Sequence, residues 1–401
     1  MNAPPHEIAI VGGGYTGLTA AYRLSSRSGV ALTLFERSQE LGGLAGDFTL
    51  QGASIEKTYH HIFRTDRDIL ALTDELGLGD ALMWQASSVG IYSGGRVHPF
   101  MSPRDVLAFS PLPLLARIRL GMTVLYLKHR RQWQPLVRQT ALAWMRRVSG
   151  EAATRVIWEP LLKGKFDRYF DQVSMAWLWA RLHVRANSRT SAAEGEQLGY
   201  YRGGFACITR ALTKAIDAAS ATIARDTTIE QISAGPDGRP TLTIGGRPRG
   251  FDAVIFTGST HALARVLSAT TEPLSAYVQQ LRSIHYLGAI CLVFASTQDL
   301  GDTYWVNINA PGAPFLVFIN HTKLIPASNY QGRHVYYIGS YQAHDSALFL
   351  ADPSVIKDRW YSYLSKIHPE FDRAAVVEEH LFKLRDAQHI VDPDYAAKVP
   401  A

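Results

Sequence analysis

Cysteine is nearly absent: the 401 residues contain two, Cys207 and Cys291, each inside an apolar stretch. Two buried reduced thiols are expected, and a disulfide framework is excluded. Histidine does not make up the shortfall. The adjacent pair His60-His61 sends its side chains to different sides in a strand or a helix, and no Cys/His cluster has metal-ligand spacing, so no metal is expected. Charge is also sparse, with Asp, Glu, Lys and Arg at 19% against a usual quarter. Hydrophobic residues make up 47% of the chain, which rules out disorder and points to a large core. The net charge of +6 comes with no nucleic-acid-binding signature, so no nucleic-acid partner is expected.

Other features are missing as well: a charged-then-apolar leader, an internal repeat and a low-complexity linker. The most apolar stretch, 106–127, is broken by Pro111, Pro113, Arg117 and Arg119, and fails as a span of about 20 apolar residues. A cytoplasmic protein is the default expectation. Lys128-His129-Arg130-Arg131, directly after that stretch, suits either a solvated helix end, the commoner case, or peripheral contact with anionic lipid. Nothing in the sequence sets the oligomeric state. The length calls for two or three domains.

What is present begins at the N-terminus. Ile8-Ala9-Ile10-Val11 is an apolar run of the kind found in a buried parallel strand, and it leads into Gly12-Gly13-Gly14-Tyr15-Thr16-Gly17. A helical pattern follows (Leu18, Ala21, Tyr22, Leu24), then a second strand, Ala31-Leu32-Thr33-Leu34-Phe35, ending in Glu36. Each part has a task in holding a dinucleotide. Gly12 permits the turn, Gly14 lets a pyrophosphate approach the backbone, and Gly17 lets the helix pack on the sheet. The helix start, with Tyr15 and Thr16, offers free N–H groups to phosphate. Glu36 is placed to accept hydrogen bonds from ribose hydroxyls.

A second glycine cluster follows the acid, in Glu36-Arg37-Ser38-Gln39-Glu40-Leu41-Gly42-Gly43-Leu44-Ala45-Gly46. It resembles the glycine pair that extends the dinucleotide fold in the flavin family of amine oxidases, protoporphyrinogen oxidases and phytoene desaturases. That resemblance implies FAD rather than NAD, lying along Gly42, Gly43 and Leu44, with Arg37 near the adenine end. Many members of the family carry Arg after the glycine pair, where this chain has Leu44. The likeness extends to Tyr59-His60-His61-Ile62-Phe63-Arg64-Thr65-Asp66, to Trp158-Glu159-Pro160-Leu161-Leu162-Lys163-Gly164-Lys165-Phe166 and to Gly199-Tyr200-Tyr201-Arg202-Gly203-Gly204-Phe205. It covers nearly the whole chain. His61-Ile62-Phe63-Arg64-Thr65 also looks like a stretch of the UDP-galactopyranose mutases. In this superfamily a late segment returns to the flavin, and the sequence closes at Val399-Pro400-Ala401 without one. A C-terminal FAD-contacting segment is therefore expected to be missing.

The fold expected is α/β: a discontinuous Rossmann-type FAD-binding domain (1–95 and 199–265), a helical subdomain (96–198) and a mixed-sheet substrate domain (266–401). A helix is expected over 66–76, capped by Thr65 or Asp66, and another from Asp352-Pro353 to about Ile367. Residues 222–225 are expected to open a β-meander. Trp133, Trp144, Trp158, Trp177 and Trp179 suit a helical core, or line an apolar tunnel. His60, His61 and Lys165 are the candidates to touch flavin or substrate, and Gly203 and Gly204 suit close approach of a ligand at a helix start. Three functions compete. The first is FAD-dependent hydride abstraction from an apolar or ring-shaped small molecule; the others are a nucleotide-sugar mutase and a non-catalytic flavin-binding protein.

Overall fold

A computed structural model describes residues 4–187, 196–219, 221–267 and 272–399; Pro400 and Ala401, at the close of the chain, lie outside them. The architecture is mixed α/β, with a four-stranded parallel sheet and a separate seven-stranded mixed sheet. Strand His6–Val11 lies inside the parallel sheet, with Ala9 and Ile10 fully buried. Ile10 is in register with Leu34 of Val30–Phe35 on one side and Ile255 of Ala253–Phe256 on the other. Helix Tyr15–Ser25 makes the crossover, buries Gly17, Leu18 and Ala21, and packs on helix Ala206–Ala218.

Thr222–Ala224 does not open the meander. It joins the parallel sheet beside Val30–Phe35, because Ile223 pairs in register with Leu34 and extends the apolar surface under helix Ala206–Ala218. The meander is instead Ile229–Ala234, Pro240–Ile244 and Arg247–Gly250. Helix Arg67–Glu75 forms as expected, but the Asp66 carboxylate accepts the Phe63 N–H (2.8 Å) rather than a first-turn N–H. Helix Pro353–Ile367 carries the cap the sequence implies, with Asp352 accepting the Ser354 N–H at 2.8 Å.

The seven-stranded sheet runs Val376–His389, Tyr286–Ser296, His334–Gln342, Val317–Asn320, Trp305–Ile308, Val89–Ser93, Arg96–Pro99. Strand Tyr286–Ser296 is apolar on both faces, as a strand covered on both sides must be. Ile290, Leu292 and Phe294 pack with Trp360, Tyr361 and Leu364 of helix Pro353–Ile367. Cys291, Val293 and Ala295 belong to the core shared with the parallel sheet. One face is thus committed to its own helix and the other to the glycine-loop half of the molecule.

Between the sheets in sequence lies a helical block, Leu114–His129, Ala141–Val148, Glu159–Phe166 and Met175–Asn187. Trp144 and Trp158 are core residues, Trp133 is exposed, and none of the five tryptophans lines the cleft described below. A π-helical turn, Thr154–Trp158, leads into Glu159–Phe166. Pro160 has no N–H, so the Val156 carbonyl loses its helical donor. The Asn309 side chain replaces it, donating to Val156 O at 3.1 Å and Ile157 O at 3.3 Å. Asn309→Leu should therefore strand the Val156 carbonyl and cost about 1–3 kcal/mol. Urea unfolding of the variant is the measurement, and an unchanged midpoint would show that another group serves this carbonyl.

Candidate cofactor and substrate site

The two glycine segments meet. Gly42 N–H donates to Gly13 O at 2.9 Å, and Gly14 and Gly42 form a parallel bridge. A Cβ on Gly43 would lie 3.0 Å from Gly14 Cα, and one on Gly17 would lie 1.8 Å from Gly12 O. Neither contact tolerates a side chain. Gly14 caps helix Tyr15–Ser25 without any side-chain bond, so the first-turn N–H groups keep their capacity for an anion.

Glu36 stands at the end of the second strand, as the spacing predicts, but it is already engaged. Its Oε2 accepts Gly13 N–H at 2.7 Å; its Oε1 accepts Ser38 N–H at 2.9 Å and Ser38 Oγ at 3.0 Å. Three of roughly four acceptor sites are filled, so Glu36 fixes the loop and keeps one lone pair for a ribose. Tyr15 has a separate side-chain partner. Its hydroxyl donates to Phe205 O at 2.7 Å and burial drives its pKa far up, so its side chain ties the two helices together and only its backbone faces the loop. Thr16 and Arg37 are exposed.

Beyond Leu44 a cleft of about 490 Å³ opens to solvent. One wall is Leu44 with Thr58, Tyr59 and His60; the floor is the mixed sheet, with Ala289, Cys291, Gly339 and Tyr341. Cys291 is in register with Gly339, and Ala289 with Tyr341. Small residues here leave room, and a Cβ on Gly339 would lie 2.9 Å from the Tyr59 ring. Cleft residues Tyr59, Cys291, Gly339 and Tyr341 were not singled out by sequence; nothing in their strands distinguishes them from core.

His60 and His61 separate as adjacent residues should. His60 lines the cleft, with Nδ1 2.7 Å from Thr58 O. A carbonyl only accepts, so Nδ1 carries the proton; burial holds the pKa down, and the neutral ring keeps Nε2 as a lone pair. His61 lies among Phe63, Tyr304 and Trp305, at centroid distances of 4.9, 6.3 and 5.9 Å. Burial, then Arg185 and His60, push its pKa down to about 3. It is not among the cleft-lining residues. Lys165 approaches the cleft indirectly, its Nζ 4.2 Å from the centroid of Tyr341. Its neighbour Lys163 is bonded to Glu159 at 2.7 Å.

Gly203 and Gly204 serve a different contact. A Cβ on Gly204 would lie 3.0 Å from Ser54 O and from Glu56 Oε1. The Glu56 carboxylate, fully buried, accepts Phe205 N–H at 2.6 Å and the Tyr200 hydroxyl at 2.7 Å, while Tyr337 donates to Glu56 O at 2.9 Å. These glycines therefore let the chain turn over a buried acid and are not cleft-lining residues.

A glycine loop at a helix start, an acid at the next strand end and a mixed sheet closing a cleft define a dinucleotide-binding protein of two sheets. Residues 15–386 match the family model for flavin-containing amine oxidoreductase. The chain belongs to that family, whose cofactor is FAD and whose members are oxidoreductases. Coproporphyrinogen III oxidase of Mycobacterium bovis is 36% identical over 109 residues, covering 26% of this chain. The aligned stretch spans only 23% of that relative's length. Among solved structures, one described as a protoporphyrinogen oxidase from Exiguobacterium sp. 255-15 superposes with TM-score 0.78 at 19% identity, over 99% of this chain and 90% of that one. Reduced UDP-galactopyranose mutase gives 0.76 at 16%, over 98% and 86%. At those identities the two structures establish a shared fold. The residues present fit FAD: a side-chain-free cradle for the pyrophosphate, a fixed acid for the ribose and an open cleft past Gly43 and Leu44.

Glu56 makes the clearest pH prediction. Burial raises its pKa from 4.5 to about 7, against the lowering effect of its hydrogen bonds. A carboxyl with a raised folded pKa contributes most below the unfolded value and loses that contribution as pH rises through the folded one. The stability of the parent relative to Glu56→Gln should therefore fall between about pH 4.5 and 7, by up to about 1.4 kcal/mol per pH unit. Parallel denaturation of both proteins across that range is the test; a flat difference would mean that the acid is ionised throughout.

Proposed function

We propose that the chain is an FAD-dependent oxidase that removes hydride from a C–H bond of an apolar or ring-shaped small molecule held in the cleft. The observation that carries this reading is the position of the cleft, continuous with the second glycine segment at Leu44 and floored by Ala289, Cys291 and Gly339. Bound FAD supplies the hydride acceptor, and the protein supplies orientation and proton handling. Tyr341 and Leu384 give a substrate ring apolar contact, and Leu44 adds to that wall. His60, neutral and oriented by Thr58, takes the proton from a substrate N–H at its Nε2 as the C–H hydride leaves, so that a C=N bond forms and the electrons balance. His61 holds the neighbouring wall, and Lys165 places a positive charge behind the Tyr341 ring.

A nucleotide-sugar mutase would want arginines facing a diphosphate. Among the described residues the cleft is lined by Leu44, Ala289, Ile290 and Leu384 and by no arginine, which favours the oxidase reading. A non-catalytic flavoprotein is separated from both by whether the bound flavin can be reduced.

Purified protein should be yellow, or should take up added FAD and become so. A colourless protein that binds none would overturn the cofactor assignment. Glu36→Ala should weaken FAD retention, because it frees both Gly13 N–H and Ser38 as well as removing the ribose acceptor; unchanged affinity would contradict the fit. Anaerobic mixing with a hydrophobic amine and with a porphyrinogen should bleach the flavin absorbance for a true substrate. His60→Ala should slow that bleaching by about 100-fold or more with FAD still bound. An unchanged rate would remove His60 from proton transfer.

A further inference from the structure

Eight of the thirteen large hydrophobic side chains that stand exposed among the described residues lie between Leu107 and Trp133. Six of them, Leu114, Leu115, Ile118, Met122, Leu125 and Tyr126, belong to helix Leu114–His129. Their spacing of three and four residues places them on one face. The helix buries its other face through Leu120, Thr123 and Leu127, so the outer stripe is not needed for the core. Leu115 is 81% exposed and Met122 67%. An open groove of about 650 Å³ runs along this stripe, with Val148 on its far side.

The charge around the stripe is one-sided. Residues 101–150 contain nine Lys and Arg and a single acid, Asp105. That block carries a larger net charge than the +6 of the whole chain. Arg117 bonds Leu112 O and Leu107 O, Arg119 bonds Val148 O and Arg147 O, and Arg130 bonds Gln132 O and the Tyr126 hydroxyl. Those partners are neutral oxygens, so the positive charge stays available. An apolar stripe bordered by cations is the pattern of a helix that lies in the interface of an anionic membrane. A second copy fits poorly, because a two-fold contact would set this cationic patch against itself. No helix among the described residues is long and apolar enough to cross a membrane.

We infer that the outer face of helix Leu114–His129 docks the protein on an anionic lipid surface, with Leu115, Ile118 and Met122 entering the acyl boundary and the surrounding arginines meeting headgroup phosphates. This goes beyond the oxidase reading and does not depend on it. The test is co-sedimentation of the purified full chain with vesicles of phosphatidylcholine alone, or mixed with phosphatidylglycerol. Binding is expected to the mixed vesicles and much less to phosphatidylcholine, and to weaken when salt is raised about tenfold. Leu115→Gln/Met122→Gln should reduce partitioning by about tenfold or more, with circular dichroism unchanged because both side chains are already in solvent. Three outcomes would overturn the inference: no binding to mixed vesicles at low salt, equal binding by the double variant, or self-association that the double variant abolishes without any vesicle binding by the parent.

Discussion

Two stretches of backbone must touch before anything else in this molecule is in place. Gly14, at the end of the first loop, and Gly43, at the start of the second, are so close that a single added methyl on Gly43 would reach 3.0 Å from Gly14 Cα. The contact is held by one hydrogen bond between Gly42 and Gly13 and by the Glu36 carboxylate gripping the same loop. From it the chain runs through the short hairpin Asp47–Leu50 and Ala53–Glu56, which is tied back by Lys57 N–H to Gly46 O at 3.0 Å. Thr58, Tyr59 and His60 follow directly and reach the cleft. The position of His60 is therefore set by the glycine contact that makes the cradle.

The opposite wall obeys a different constraint. A strand covered on both sides has no solvent face, so each of its residues is assigned to one core or the other. Tyr286–Ser296 spends Ile290, Leu292 and Phe294 on helix Pro353–Ile367 and Cys291, Val293 and Ala295 on the half that carries the glycine loops. The cleft exists where that second face carries small residues: Ala289, Cys291, and Gly339 across the ladder. Gly339 also admits the Tyr59 ring edge, so one missing side chain serves both space and packing.

The cradle was legible in the sequence because its demands are written in glycine. Positive φ at Gly12, Gly42 and Gly43 and near-contact at Gly17 leave no other residue in place. The cleft was not legible, since Cys291, Gly339 and Tyr341 sit in apolar strands where composition reads only as core. Strand Val376–His389 was missed for the reverse reason. It is an edge strand crowded with charge, and those charges are satisfied by partners elsewhere in the chain: Glu378 by Gln51, Glu379 by Lys357 and Tyr361, Lys383 by Ala351 O. Distance in sequence also hid Glu56, a lone acid whose partners Tyr200 and Phe205 lie 144 and 149 residues away.

The segment from Glu56 to His61, which supplies one wall of the cleft, has a single electrostatic character. Burial raises the pKa of the acid at its start and lowers those of the two histidines at its end. All three shifts have the same sense, because removing water penalises whichever form is charged. The chain answers with hydrogen bonds suited to neutral groups: a hydroxyl and an N–H for Glu56, a carbonyl for His60 Nδ1. A cleft lined by His60, Thr58, Tyr59 and apolar side chains carries little fixed charge of its own, and in a medium that screens poorly each charge brought near it acts strongly. Lys165 is so placed, reaching the cleft through the face of Tyr341 and not through an acid that would cancel it. The polarity of this site therefore depends on what enters the cleft more than on what lines it.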